Sequence, residues 1–79
     1  MSTKSLNALS PRDRILVMMA VLIDGHEAEV FLSFDPANAH LGRAAAELLK
    51  LPLDLRAPLL GSMLRRESAM LNKSGKGGY

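Results

Sequence analysis

Residues 15–23 read ILVMMAVLI, nine apolar side chains without a break. Coiled into an α-helix they cover about two and a half turns, so no side of that helix is polar. Such a helix must lie at the centre of its domain or be shared with a partner. It is too short to cross a bilayer, which needs roughly twenty apolar residues, so no membrane insertion is expected. The chain has 79 residues, enough for one domain whose core competes narrowly with chain entropy. There is no cysteine, so neither a disulfide framework nor thiolate-bound metal can supplement that core, and a cysteine nucleophile is excluded. Stability must come from packed side chains.

Composition points to helices. Hydrophobic residues make up 48% of the chain and aromatics only 4%, the apolar content being carried mainly by Leu, Ala, Met and Val. A mean hydropathy of +0.10 is high for so short a chain, so some apolar surface is expected to remain for a partner. Ten Lys and Arg against eight Asp and Glu leave a net charge of only +2, too mild for a nucleic-acid footprint. The first residues lack the basic flank, apolar stretch and small-residue cleavage site of a secretory signal, so a cytoplasmic location is expected.

Boundary signals divide the chain into about four short helices. Residues 1–9 are polar apart from Leu6 and Leu9 and are expected to be flexible unless one of those leucines docks. Ser10-Pro11-Arg12-Asp13 opens the first helix: the Ser10 side chain can accept from the amide of residue 13, and Pro11 occupies the first position, where no N–H is needed. Gly25 closes that helix after Ile23 and Asp24. A second helix follows over His26–Phe34, with Val30, Phe31 and Phe34 on one face and His26, Glu27, Glu29 and Ser33 largely opposite. The two phenylalanines are read as core first and partner contacts second. Asp35-Pro36 launches a third helix in which Ala37, Leu41, Ala44, Ala45 and Leu48 recur at intervals of three and four. Gly42 within it costs about 1 kcal/mol relative to alanine, which implies a close helix contact there.

Leu51-Pro52 ends the third helix, and Asp54 starts a fourth, in which Pro58 is tolerable only inside the first turn. Leu59, Leu60, Met63, Leu64, Met70 and Leu71 form its apolar stripe, leaving Arg56, Arg65, Arg66 and Glu67 for water. Residues 72–79, NKSGKGGY, are expected to be disordered. The domain is thus placed at 10–71, as a compact all-α bundle with no sequence repeat of fixed period.

Chemistry is hard to find. His26 and His40 sit on different helices without metal-ligand spacing. Asp13, Asp24, Glu27, Glu29, Asp35, Glu47, Asp54 and Glu67 mostly stand at helix ends or beside basic residues, where capping and the helix dipole account for them. Gly61-Ser62-Met63 is not a nucleophile elbow, and SGKGGY lacks the spaced glycine and downstream helix of a phosphate loop. No catalytic residue, cofactor or metal is proposed. A helix-turn-helix in HEAEVFLSFDPANAHLGRAAAELL is the alternative reading, but its recognition helix would offer only Asn38, His40, Arg43 and Glu47, one arginine among them.

The run ILVMMAVLIDGHEAEVFLSFDP resembles the opening helical unit of the flagellar motor switch family FliG: an aliphatic helix over Ile15–Leu22, a glycine turn at Gly25, a second helix with Ala28 and Phe31 or Leu32, then Phe34-Asp35-Pro36. The likeness extends loosely through LLKLPLDLRAPLLGSMLRRE. Ala37-Asn38-Ala39 departs from the acidic residues that usually follow in that family, and Asp13-Arg14-Ile15 departs at the helix start. The resemblance implies an armadillo-like adaptor without chemistry, whose apolar groove holds a helix of another protein or of another copy, in a motor or related bacterial assembly at the cytoplasmic face of a membrane. The unbroken apolar run and the adaptable methionines add a partner-binding set of Met18, Met19, Leu22, Phe31, Phe34, Met63, Leu64 and Met70.

Overall fold

The computed structural model describes residues 4–76, with side chains described through residue 71. Five α-helices appear: α1 (Lys4–Asn7), α2 (Pro11–Asp24), α3 (Glu27–Ser33), α4 (Ala39–Leu48) and α5 (Leu53–Lys76), with a 3₁₀ turn at Pro36–Asn38 between α3 and α4. The all-α bundle is therefore as expected, with one helix more than the sequence reading gave.

Local chemistry sets the boundaries. The Ser10 hydroxyl accepts from the amide of Asp13 at 3.3 Å, and Pro11 takes the first helical position of α2. Gly25 closes α2 with φ +60° and donates its N–H to the Val21 carbonyl at 2.9 Å, a backbone conformation that a side chain would strain. The Asp35 carboxylate accepts from the amide of Ala37 at 3.0 Å, so it caps the 3₁₀ turn rather than a single long third helix. Pro58 lies in the second turn of α5, beyond the first turn where the sequence argument would confine it. Its missing N–H leaves the carbonyl of Asp54 without a helical donor, and both residues are exposed.

The N-terminal stretch does dock. Leu6 is fully enclosed and Leu9 nearly so, and Ser5 donates to the Glu47 carboxylate of α4 from both its hydroxyl and its amide. At the other end, the α5 backbone is helical through Lys76, where a disordered tail was expected from residue 72; residues 77–79 lie outside the described part.

Helix α4 occupies the centre, packed by α1, α2 and α3, while α5 lies along α2. The core is wholly apolar: Leu6, Leu9, Val17, Met18, Val21, Ala28, Leu41, Ala44, Ala45, Leu48, Leu51 and Leu60. Two arginines that sequence reasoning gave no inward role clamp it. Arg14 Nη1 donates to the carbonyls of Leu9 and, more weakly, Asn7. Across the bundle its Nη2 donates to Glu67 Oε2 at 3.3 Å, and its Nε stands 2.8 Å from Glu67 Oε1, paired by charge rather than by an aligned hydrogen bond. Arg56 Nη2 donates to the carbonyls of Leu49 at 2.9 Å and Leu51 at 3.3 Å. Neither Arg56 nor Glu67 is therefore a simple solvated group.

These clamps expose a repeat that the letters conceal. Each arginine reaches carbonyls seven and five residues before it. Each follows a corner in which one buried leucine donates its amide to the carbonyl of another at 3.1 Å, Leu9 to Leu6 and Leu51 to Leu48. Four residues after each arginine stands a fully buried side chain, Met18 or Leu60. The offset is 42 residues throughout, so α1–α2 and α4–α5 are two versions of one helical corner. The likeness is one of local geometry carried by four positions, within segments that share no sequence repeat.

The Gly42 contact is present. A Cβ added there would overlap Ser33 Oγ and stand 3.1 Å from Ser33 Cβ and 3.4 Å from its Cα. The hydroxyl could rotate away; the other two atoms move only if α3 moves. Gly42→Ala should therefore lower stability by about 1 kcal/mol net, overpacking outweighing alanine's better helix propensity. Ser33→Ala in the same chain should recover part of the loss. Urea midpoints at unchanged slope read both effects, and a Gly42→Ala chain as stable as the original would show that the two helices separate freely.

Candidate protein-binding surface

On α3, the small residue Ala28 is fully buried and Leu32 packs partly against the core. At about 100° per residue, Val30 and Phe34 fall on the opposite side together with Glu27, and Phe31 falls on the adjoining flank. They share a face as the sequence indicated, but that face looks outward: Phe31 is 65% exposed and Phe34 88%. The core assignment of the phenylalanines is thus overturned. The small side chain of Ala28 takes the inward position on α3, with Leu32 partly beside it.

On α2, Val17, Met18 and Val21 face inward, whereas Leu16, Met19, Leu22 and Ile23 are exposed. Apolar residues all round the helix are therefore divided between the core and the surface. Met18 is fully enclosed, so it belongs to the core and cannot touch a partner. Met19, Leu22, Phe31, Phe34 and Met70 are on the surface; Met63 and Leu64 are half-buried against the core. The sequence reading missed Leu16, Ile23, Val30, Leu53, Leu55 and Leu59 as exposed apolar groups. For Leu55 a signal existed, since it lies off the stripe of Leu60 and Leu64 that packs inward.

A cleft of about 350 Å³ opens where the end of α2 meets the start of α5, lined by Val21, Leu22, Ile23, Asp24, Gly25, Leu53, Arg56 and Ala57. Arg56 is a fixed wall of this cleft, because its guanidinium is held by the Leu49 and Leu51 carbonyls. The cleft is thus an open, mainly apolar depression with Arg56 as its held polar wall.

His26 and His40 are both exposed, and among the described residues no group of three or more His, Cys, Asp or Glu stands close enough to hold a metal ion. Among them, too, no helix is long and apolar enough to cross a membrane. The would-be recognition helix α4 has three helices packed on it, its Glu47 is bonded to Ser5, and Leu41, Gly42, Ala44, Ala45 and Leu48 are buried. Its one exposed Lys or Arg is Arg43, with Lys50 in the turn beyond its end. No family model, no curated protein and no solved structure matches this chain.

The division of α2 and α3 into inner and outer faces separates two substitutions that the sequence treats alike. Met18→Asp places a carboxylate in a sealed apolar site, costing several kcal/mol, and should abolish the cooperative thermal transition seen by circular dichroism. Phe31→Asp should leave that transition within about 0.5 kcal/mol of the original. Equal destabilisation by both would place Phe31 in the core after all.

Proposed function

We propose that this chain is a non-catalytic protein–protein interaction module that buries its outer apolar face against a helix of another protein or against another copy of itself. The observation that carries the reading is the position of the two phenylalanines. The core is closed without them and contains no buried polar or charged residue, yet both rings stand in solvent beside Val30. Burying a phenylalanine contributes roughly 1.5–3 kcal/mol. Covering the three side chains is therefore worth on the order of 5 kcal/mol before the costs of association. An amphipathic helix laid on such a face is a recurrent mode of recognition.

The finer form of the proposal is an armadillo-like, FliG-like adaptor in a motor or related bacterial assembly. Its support is the resemblance around residues 15–36 together with the 42-residue corner repeat, a spacing within the roughly 40–47 residues of armadillo and HEAT arrays.

Affinity capture from native lysate with the full chain and with Phe31→Asp/Phe34→Asp tests the proposal. A stoichiometric protein partner should be retained by the original, lost by the variant and insensitive to added salt. Equal capture by the folded variant would overturn the reading. Capture of nucleic acid that fades steeply with salt would also overturn it and favour the helix-turn-helix alternative.

A further inference from the structure

Charge is distributed unevenly along this chain. Between residues 15 and 42 it holds four acidic residues, Asp24, Glu27, Glu29 and Asp35, and no Lys or Arg, although the chain as a whole carries +2. Helix α3 lies inside that stretch. Its outward side presents Val30, Phe34 and Glu27, and Phe31 adjoins them, the four falling within about 100° of arc. Glu27 stands between Phe34 and Phe31 around the helix and one turn before Val30 and Phe31 along it. Asp35 follows Phe34 directly, so a carboxylate stands at each end of the apolar group. Glu29 falls on the far side of the helix and takes no part.

Both carboxylates are available. Glu27 and Asp35 are exposed, and among the described residues neither pairs with a cation. Asp35 accepts from the Ala37 amide and keeps its charge. The two arginines that bound the stretch are placed elsewhere. Arg14 is bonded to Glu67 and to the α1 corner, and Arg43 lies about 100° around α4 from Gly42, the residue that meets Ser33 of α3. The unpartnered face is thus apolar at its centre and negative at its ends.

We propose, resting on the interaction-module reading and naming its partner's chemistry, that the α3 face receives a basic amphipathic helix. Such a helix is apolar on the side that meets Val30, Phe31 and Phe34 and carries Lys or Arg beside that side. Covering the apolar group takes water away from the two carboxylates, and a partner with a neutral or acidic rim gives them nothing in return. Lysine or arginine supplies the missing counter-charge, the arrangement of apolar centre and complementary polar rim found in specific interfaces. The apolar contact holds the partner in salt, and the carboxylates choose its sign. Two α3 faces set against each other would instead bring together charges of one sign.

Two synthetic helical peptides of about eighteen residues test this, identical in a stripe of leucines and carrying lysines in one case and glutamates in the other. Dye-labelled, they report their affinities for the full chain by fluorescence anisotropy at low ionic strength. The lysine peptide should bind about tenfold more tightly, against the direction that the chain's own charge of +2 favours. Glu27→Gln/Asp35→Asn, which retains an acceptor for the Ala37 amide, should remove that preference with the circular dichroism spectrum unchanged. Phe31→Asp/Phe34→Asp adds two carboxylates and should nevertheless abolish binding of the lysine peptide. Equal affinities, no binding of the lysine peptide, or a preference untouched by loss of the two carboxylates overturns the proposal. In that event, peptide binding or partner capture that is lost with Phe31 and Phe34 leaves the interaction-module reading standing, and association that survives without them removes both.

Discussion

The approach of α3 to α4 at Gly42 decides what the rest of the molecule can do with its apolar residues. Two helices can come this close only where one of them leaves room, and Gly42 leaves the space that the Ser33 side chain enters. On that helix Ala28 is fully enclosed and Leu32 partly so, while Val30, Phe31 and Phe34 stand outside. The usual order of burial, large apolar side chains first, is inverted on this helix, where proximity of the backbones rather than ring area supplies the contact. The exposed phenylalanines stand beside a tight helix contact, not a loose one.

A second constraint acts at the corners. A helix end leaves carbonyls without donors, and after α1 and after α4 the chain turns within a few residues, so water has limited access to those oxygens. In each case an arginine from the next helix reaches back to them. A guanidinium suits this task because its charge is delocalised and its donors are fixed in a planar fork, so it can be half-buried while serving carbonyls on its own side. Arg14 also pairs with Glu67, tying the first corner to the far half of α5. The polar side chains therefore organise the connections, while the apolar ones fill the space between.

Much of the fold was legible in the sequence, for reasons that explain what was not. Ser10, Pro11, Gly25 and Asp35 act through bonds to their own neighbours, so a linear reading finds them. Gly42 was legible because an isolated glycine inside a helix needs a reason. The facing of α3 was not: periodicity tells which residues share a side, and Val30, Phe31 and Phe34 do, but it does not tell which side meets the core. The same limit placed Met18 among the candidate contacts, since in an unbroken apolar run nothing distinguishes its inward position from the outward one of Met19. Leu6 and Leu9 looked isolated because their partners are some forty residues away. The repeat escaped notice because it consists of Leu6, Leu9, Arg14 and Met18 set against Leu48, Leu51, Arg56 and Leu60 within otherwise dissimilar segments.

The shortest helix acts as a stopper. Four residues make barely one turn, and a single turn has no stability of its own in water. α1 persists because Leu6 sits in a sealed place, Ser5 is tied to Glu47, and Arg14 spans the exit. Shortening the chain from its front, which its polar composition would seem to invite, uncorks the bundle: it leaves a hollow the size of a leucine beside α4 and strips Arg14 of the carbonyls that let it lie half-submerged.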